Sequence, residues 1–369
     1  MNSPPSRSIN TAPAGKRRLR ELDSLRGIAA SCVLLFHLSW AANDHYHQWP
    51  FQVPWGHFGV ELFFELSGFV ILMTLERSAS VVDFLISRVT RLYPAYWCAV
   101  LLTSGVLWLV SSPVAPSLPV ALADLTMLQT LLRVRSIDPA YWTLTAELIF
   151  YVLIVAWYRF RGSRWPDIEY YALGWIAFAT VTRSVCGLTH AGQLPGVIAT
   201  PTLLYYGQFF IVGLCVYRFY SGSARALTTC TLLAACALSL FGGSAGSMSA
   251  APLPYFLLTC GCAAGVYLAS QARVPLLRFP VLIFLGDISY PLYLIHQVVG
   301  TELMSQAYLH RIPAWLSLPS IILLLVVLAY LIHRAVEIPA RTVLRAKLRN
   351  LARAPNSSTR AAPGPTAAP

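Results

Sequence analysis

The sequence has little charge. Only 11% of its 369 residues are Asp, Glu, Lys or Arg, whereas 56% are hydrophobic and the mean hydropathy is +0.60. Soluble globular domains carry about a quarter of their residues as charges, so this composition excludes an ordinary soluble enzyme and predicts a membrane protein. Acidic residues are scarcer than basic ones, 15 against 27, which gives a formal net charge of +12.

Four other features are missing. The eight cysteines lack the spacing of a zinc site or a secreted disulfide framework, so we interpret them as small core residues. The first eighteen residues are polar and basic, and we expect no cleaved signal peptide. No internal repeat is visible, which argues against a transporter built from inverted halves. Asp44, His45 and His47 lack further ligands, so we expect a solvated loop and no metal.

Long apolar runs are what the sequence does contain. Ten runs of about twenty residues are candidates to cross roughly 30 Å of hydrocarbon. We therefore predict an all-α polytopic membrane protein with about ten transmembrane helices. The predicted spans are residues 28–42, 58–75, 93–111, 141–158, 168–187, 202–219, 227–243, 253–270, 282–304 and 316–334.

The basic residues are distributed unevenly around these spans. If the N-terminus is cytoplasmic, 23 of the 27 lie on the cytoplasmic side, as the positive-inside rule requires for an even number of spans. We therefore expect both termini in the cytoplasm and no nucleic-acid partner. The longest outer segment is then about residues 112–140. We expect a disordered basic tail at 1–20, a transmembrane domain at 21–345 and a disordered tail at 346–369.

Two histidines within apolar spans are strong functional candidates, because ionisable groups are costly in hydrocarbon. His37 lies in the first span and His296 in the ninth, both near mid-depth. Eleven residues from Arg26 to His37 correspond to about 16 Å of helical rise. A neutral imidazole at that depth can remove a proton from a hydroxyl, as a general base does. The alternative is a core histidine that hydrogen-bonds a neighbouring helix.

Carboxylates occupy comparable positions in other spans. Glu61 and Glu65 are four residues apart and share one helix face, where catalysis or structural polar contact would explain them. Glu147, near the start of the fourth span, could orient His37 or stabilise its imidazolium. A transporter or lipid-intermediate translocase that uses His37, Glu65 and Glu147 as a proton relay is the second class of function left open.

An anion site is predicted before the third span. Arg88 and Arg91 are three residues apart and precede Pro94, and proline is favoured at the first position of a helix. We expect the third helix to begin there on the cytoplasmic face, so that its positive dipole end and both guanidinium groups attract an anion. Arg26 lies at the same edge. Topological arginines that contact lipid headgroups are the alternative.

Six short stretches follow one another in a distinctive order and spacing. They are ELDSLRGIAASCVLLFH (21–37), GVELFFELSGFVI (59–71), RVTRLYPAYW (88–97), WTLTAELIFY (142–151), LGDISYPLYLIH (285–296) and EIP (337–339). Together they resemble the membrane-bound acyltransferase 3 family, whose members acylate sugars and related hydroxyl-bearing compounds. The resemblance covers most of the predicted transmembrane region.

The resemblance implies an acyl-CoA co-substrate on the cytoplasmic side, no permanently bound cofactor, and transfer of the acyl group to a hydroxyl. It implies catalytic roles for His37, Glu147 and His296 and donor-binding roles for Arg26, Arg88 and Arg91. The residues expected to contact substrate or to be structural polar groups are Asp23, Glu61, Glu65, Ser67, Trp142 and Tyr290.

Three positions depart from the family pattern. Glu61 stands where aspartate is usual, which keeps the charge. Glu65 stands where an apolar residue is common, and Asp287 stands where a basic residue is common, so we do not expect Asp287 to bind a donor phosphate. Ser67 lacks the Gly-x-Ser-x-Gly surroundings of a nucleophile elbow, which favours direct transfer over an acyl-enzyme.

The expected setting is the inner membrane of a bacterium. The first expectation for the reaction is acetyl transfer to a sugar of an exopolysaccharide or lipopolysaccharide, free or lipid-linked, and succinyl transfer or a secondary-metabolite sugar comes next. The partners would be acyl-CoA, the carbohydrate acceptor, membrane lipids and proteins of polysaccharide biosynthesis.

Overall fold

A computed structural model of the chain describes residues 19–47, 49–160, 168–189, 201–241 and 252–353. Within these ranges the regular secondary structure is helical throughout, which confirms the predicted all-α class. The α-helices are α1 (Arg20–Tyr46), α2 (Gly59–Glu76), α3 (Val81–Leu109), α4 (Leu118–Asp124), α5 (Trp142–Phe160), α6 (Ile168–Thr189), α7 (Pro201–Tyr220), α8 (Ala226–Ala237), α9 (Pro252–Ser270), α10 (Pro280–Ile295), α11 (Val298–Leu309), α12 (Ala314–Ile332) and α13 (Arg345–Arg353).

Six helical segments of the described chain are long and apolar enough to cross a membrane, and a bent pair of helices would make a seventh. Helical residues occur at each of the ten predicted spans. At two of these spans the apolar helical stretch found, Ile168–Val181 within α6 and Ala226–Leu240 around α8, has fewer than 18 residues. The count of ten spans and the cytoplasmic location of both termini therefore stay predictions.

Helices α1 and α10 run side by side in the same direction. A Cβ atom at Gly27 would lie 2.5 Å from the backbone nitrogen of Gly286, so a larger side chain there would push the two helices apart. His37 and His296 each lie ten residues beyond these glycines, about 15 Å further along the two helices. The close contact between the glycines thus sets the two histidines at the same height.

The ninth predicted span, 282–304, is not one continuous helix. Helix α10 ends at Ile295, α11 begins at Val298, and their axes differ in direction by 69°. A buried carboxylate stabilises the new helix start, because Asp138 Oδ2 accepts a hydrogen bond of 3.0 Å from the backbone N–H of Val298. His296 lies in the break between the two helices.

Helix α3 begins thirteen residues before Pro94, not beside it as predicted. Its first residue is Val81, and the Ser80 side chain caps it by accepting a hydrogen bond of 3.1 Å from a backbone N–H of the first turn. Arg88 and Arg91 therefore lie inside the helix, seven and ten residues after its first residue. The expected contribution of the helix dipole to an anion site at these arginines is wrong, because that effect is confined to the first turn.

The segment between α3 and α5 folds back against α3. The Tyr96 hydroxyl donates to the carbonyl of Asp124 at 2.8 Å, and Trp97 Nε1 donates to the carbonyl of Leu125 at 2.9 Å. Tyr96 lies thirteen residues before the end of α3, so the segment reaches about 20 Å back along that helix. The Asp124 and Asp138 side chains are fully buried there. The outer location predicted for residues 112–140 stays a prediction.

At the C-terminus, α13 extends past residue 345, where the sequence predicts the start of a disordered tail. The helix is held against α3 by an ion pair of 2.9 Å between Arg349 Nε and Asp83 Oδ1. The remainder of the two predicted tails, residues 1–18 and 354–369, lies outside the described residues.

Candidate active site

A cavity of about 70 Å³ opens among helices α1, α2, α3, α5 and α10. Arg26 and Arg91 line one end of it. Because α10 runs away from that end, Tyr293 lies deeper than the earlier α10 residues, and Thr143 and Val60 line the same deep end. The cavity thus leads from two arginines towards the level of the two histidines.

The cavity opens at the arginines into a second, more polar pocket. Four residues line both spaces: Arg26, Arg91, Ser289 and Tyr290. We call this pocket the basic end. The other residues that line it are Asp23, Gly286, Asp287, His333, Arg334, Glu337, Ile338 and Arg341.

A buried carboxylate organises one wall of the basic end. Glu337 is 1% exposed and accepts hydrogen bonds from Arg341 and, at 2.7 Å, from His333 Nδ1. These residues belong to two π-helical stretches, His333–Glu337 and Ala340–Leu344. π-Helical turns are frequent at functional sites, and here they direct Arg334 and Arg341 into the same pocket.

Glu147 lies on the cavity wall near the arginines and not beside His37. Its Oε1 accepts a hydrogen bond of 3.0 Å from Ser67 and one of 2.5 Å from the Tyr151 hydroxyl. It also interacts electrostatically with Arg26. No hydrogen bond or ring contact joins Glu147 to His37 within the described ranges, so the structure does not bring these two residues together.

The two arginines of the predicted basic pair have different surroundings. Arg91 lines both the cavity and the basic end. Arg88 lines neither, because its side chain is 5% exposed and packs over the rings of Phe84 and Tyr151, at 5.3 Å and 5.7 Å from their centroids. Arg88 supports the wall that carries Tyr151, whereas Arg91 is available to a ligand.

The two histidines contact each other. Their ring centroids lie 5.3 Å apart with an angle of 49° between the planes. His296 is fully buried, and its Nδ1 lies 2.7 Å from the carbonyl oxygen of Tyr293, so Nδ1 donates and Nε2 carries the lone pair. Nε2 has no hydrogen-bond partner in the described part of the chain. His37 is half-buried and accessible.

Tyr293 separates the cavity from the histidine pair. Its ring lies 5.3 Å from that of His296 and its surface lines the cavity, whereas neither histidine does. Its hydroxyl lies 3.0 Å from Thr143 Oγ1 and 3.4 Å from the carbonyl of Ala140. Access from the cavity to the histidines therefore passes Tyr293.

The carboxylates of the second span face away from the cavity. Glu61 is 3% exposed and Glu65 is fully buried, and both lie on the side of α2 that packs against α7 and α9. Tyr255 of α9 donates to Glu61 at 3.2 Å, while both carboxyl oxygens of Glu65 lack a hydrogen-bond partner in the residues described. The opposite face of α2 lines the cavity with Val60, Phe63, Phe64 and Ser67.

The remaining candidates fall into two groups. Asp23 lies 3.6 Å from Arg26 in the basic end, and the Tyr290 hydroxyl donates to the carbonyl of Leu92 at 2.9 Å. Trp142 lies outside the cavity lining and packs on Tyr206, with ring centroids 4.8 Å apart. Within the described ranges no group of three or more His, Cys, Asp or Glu side chains is arranged to hold a metal ion.

Three residues of the site were missed by the sequence analysis. Tyr293 and Thr143 lie within motifs that the sequence analysis identified, but neither residue is ionisable at neutral pH and neither was singled out. Asp138 lies between the predicted spans. Its position directly before Pro139 is typical of a residue that caps a helix start, and this signal could have identified it.

Comparison with known proteins gives a consistent result. A family model described as an acyltransferase domain matches residues 19–334. The acyltransferase MdmB of Streptomyces mycarofaciens is 26% identical over 94% of this chain and 97% of its own length. The exopolysaccharide production protein ExoZ of Rhizobium meliloti (strain 1021) is 27% identical over 71% and 80%, respectively. Nodulation protein 10 of Rhizobium leguminosarum bv. viciae is 24% identical over 88% and 95%. No solved structure matches the chain.

Proposed function

The chain belongs to the acyltransferase 3 family, and we propose that it transfers an acyl group from acyl-CoA to a hydroxyl group of a carbohydrate. One observation carries this proposal: a single cavity begins between Arg26 and Arg91 and ends at Tyr293, directly in front of the His37–His296 pair. A basic entrance that leads to an imidazole suits a phosphate-bearing donor whose reactive group lies at the end of a long arm.

The donor would enter from the basic end. The phosphates of CoA are anions that guanidinium groups bind through charge-assisted hydrogen bonds, and Arg26, Arg91, Arg334 and Arg341 line the space available to them. The rise of about 16 Å from Arg26 to His37 is of the order of the extended pantetheine arm. Because acyl-CoA is cytoplasmic, this assignment makes the basic end the cytoplasmic face.

The histidine pair would supply the base. His37 is half-buried and removes the proton of the acceptor hydroxyl as the oxygen attacks the thioester carbonyl. The His296 ring lies 5.3 Å from that of His37, and its Nε2 lone pair would accept a hydrogen bond from the resulting imidazolium. Collapse of the tetrahedral intermediate releases CoA as the thiolate, which takes the proton from His37. This path is a direct transfer.

Glu147 would position the donor end of the site. Its carboxylate holds the hydroxyls of Ser67 and Tyr151 and offsets the positive charge of Arg26. This role replaces the expected contact with His37, because the structure places Glu147 with the arginines.

The acceptor class rests on the relatives. One of them is called an exopolysaccharide production protein and another an acyltransferase, so we propose a sugar hydroxyl of a polysaccharide or its lipid-linked precursor, acylated at the inner membrane. Acetyl is the proposed group, followed by succinyl. Proteins of polysaccharide biosynthesis would supply the acceptor.

Incubation of the purified protein in lipid nanodiscs with radiolabelled acetyl-CoA and a panel of oligosaccharide and lipid-linked acceptors tests the proposal. We expect label on an acceptor in a base-labile ester, and no label when acetyl-CoA is replaced by free acetate. If no panel member is labelled from acetyl-CoA or succinyl-CoA, and reconstituted vesicles instead move the carbohydrate without acylation, the proposal is wrong.

A further inference from the structure

The deep end of the cavity carries two hydroxyl groups that the mechanism above does not use. Thr143 of α5 and Tyr293 of α10 both line the cavity, and their oxygens lie 3.0 Å apart. Tyr293 is 7% exposed and Thr143 is also 7% exposed. Val60 and Phe63, which line the same end, are apolar, so these hydroxyls are the polar side chains nearest the histidine pair on the cavity surface.

The hydrogen bonds of the two hydroxyls leave Tyr293 free to reorient its proton. Thr143 Oγ1 donates to the carbonyl of Ala140 at 2.9 Å, which uses the only proton of that hydroxyl. The Tyr293 hydroxyl is then the donor in the contact with Thr143, and its second acceptor, the carbonyl of Ala140, is distant at 3.4 Å. Turning this O–H towards the cavity costs one neutral hydrogen bond and leaves Thr143 paired.

Tyr293 is also placed where the reacting carbonyl must stop. An acyl group that arrives from the basic end meets Tyr293, because Tyr293 lines the cavity whereas His296, whose ring lies 5.3 Å from that of Tyr293, does not. A thioester that stops at the deep end of the cavity therefore has its carbonyl oxygen beside Tyr293, whose ring contacts His296, the ring partner of His37.

We propose that Tyr293 is a catalytic residue whose hydroxyl donates a hydrogen bond to the carbonyl oxygen of the thioester and stabilises the oxyanion that forms there. The inference rests on the proposed function and adds a group that the sequence analysis did not select. Preorganised donors aimed at a developing oxyanion are among the largest contributions to acyl-transfer catalysis.

The acceptor oxygen forms a bond to the carbonyl carbon, the π electrons of the carbonyl move to its oxygen, and the hydroxyl proton moves to His37. The Tyr293 hydroxyl keeps its own proton and shares it with the oxyanion. When the carbonyl reforms, the carbon–sulfur bond breaks, and the thiolate receives the proton from His37.

The test compares Tyr293→Phe with the wild-type protein in steady-state transfer and in equilibrium binding of acetyl-CoA. The phenyl ring preserves the packing, so we expect kcat to fall about 10²-fold with little change in donor affinity. Tyr217→Phe is the matched control, because it deletes a tyrosine hydroxyl that bonds Glu76 at 2.7 Å outside the cavity lining, and we expect near wild-type kcat from it.

A second variant separates chemistry from structure. Replacement of Tyr293 by 3-fluorotyrosine makes the hydroxyl a stronger donor without removing it, so kcat should change from the wild-type value while donor affinity does not. The inference is overturned if Tyr293→Phe retains at least a third of wild-type kcat, or if it loses donor binding in proportion to activity. A wild-type protein without any transferase activity would refute the proposed function, whereas an active wild type with an equally active Tyr293→Phe would refute this inference alone.

Discussion

The contact between α1 and α10 offers a sharp test of how the site is assembled. A Cβ atom at Gly286 would lie 2.5 Å from the carbonyl carbon of Asp23 and still closer to its oxygen. Both atoms are backbone, so neither can rotate away. Carbon atoms in contact lie about 3.5 Å apart, and Gly286→Ala must therefore separate the helices by about 1 Å at this point.

That displacement reaches the histidines. His37 and His296 lie about 15 Å further along the same two helices, and their contact at 5.3 Å depends on the helix pair remaining in place. A misplacement of about 1 Å lowers catalytic rates about 10²-fold, and overpacking of a tight contact costs about 1–3 kcal/mol of stability. We expect Gly286→Ala to lose about 10²-fold in kcat and to unfold at a lower temperature.

The assay is acyl transfer per mole of folded protein, with folding checked by thermal unfolding in detergent. Gly265→Ala in α9 is the matched control, because a Cβ atom there meets no atom within 4 Å. The reasoning is refuted if folded Gly286→Ala transfers the acyl group within about threefold of the wild-type rate, or if Gly265→Ala is equally impaired.

Two further predictions concern residues that the sequence grouped together. Arg91→Ala should weaken acyl-CoA binding by about 10- to 100-fold, the range for a lost charge-assisted hydrogen bond. Arg88→Ala should lower the unfolding temperature and leave donor affinity closer to wild type, because Arg88 packs on two aromatic rings outside the cavity. Calorimetric titration and thermal unfolding of both variants check this, and equal losses of affinity would contradict it. Glu65→Gln should leave acyl transfer within about twofold of wild type, since Glu65 lies on the side of α2 that packs against α7 and α9. Abolished transfer would show that Glu65 acts in catalysis.

The sequence predicted the helices and the motifs better than it predicted which residues meet. The depth of His37 and His296 followed from their positions in apolar runs, but their contact depends on the approach of Gly27 to Gly286. A glycine in a span indicates a close approach without identifying the partner helix. The pairing of α1 with α10 is determined by tertiary packing, which no local sequence pattern predicts.

Neighbours two or three residues apart proved to have different environments. Arg88 and Arg91 differ by about 60° around α3, which is enough to place one side chain against Phe84 and the other in the cavity. Glu65 and Ser67 of α2 are two residues apart and differ by about 160°, and Ser67 lines the cavity while Glu65 does not. The spacing of residues in the sequence indicates approximately which of them share a helix face. The packing of the neighbouring helices determines what each residue contacts.

The segment between α3 and α5 shows a second feature that the sequence did not predict. Its buried carboxylates, Asp124 and Asp138, make hydrogen bonds of 2.7 Å to Ile137 N and 3.0 Å to Val298 N. Hydropathy selects long apolar runs, so it does not predict buried carboxylates in a segment between two of them. Its burial depends on satisfied backbone and side-chain hydrogen bonds, which a hydropathy pattern does not reveal.

The central claim is that His37 removes the acceptor proton at the deep end of a cavity that acyl-CoA enters from the arginines. Single-turnover transfer by purified His37→Ala, saturated with radiolabelled acetyl-CoA and mixed with the acceptor, tests it most directly. The account predicts a rate at least about 10²-fold below wild type, with acetyl-CoA binding unchanged. A variant that binds the donor and transfers the acyl group at the wild-type rate would contradict the account.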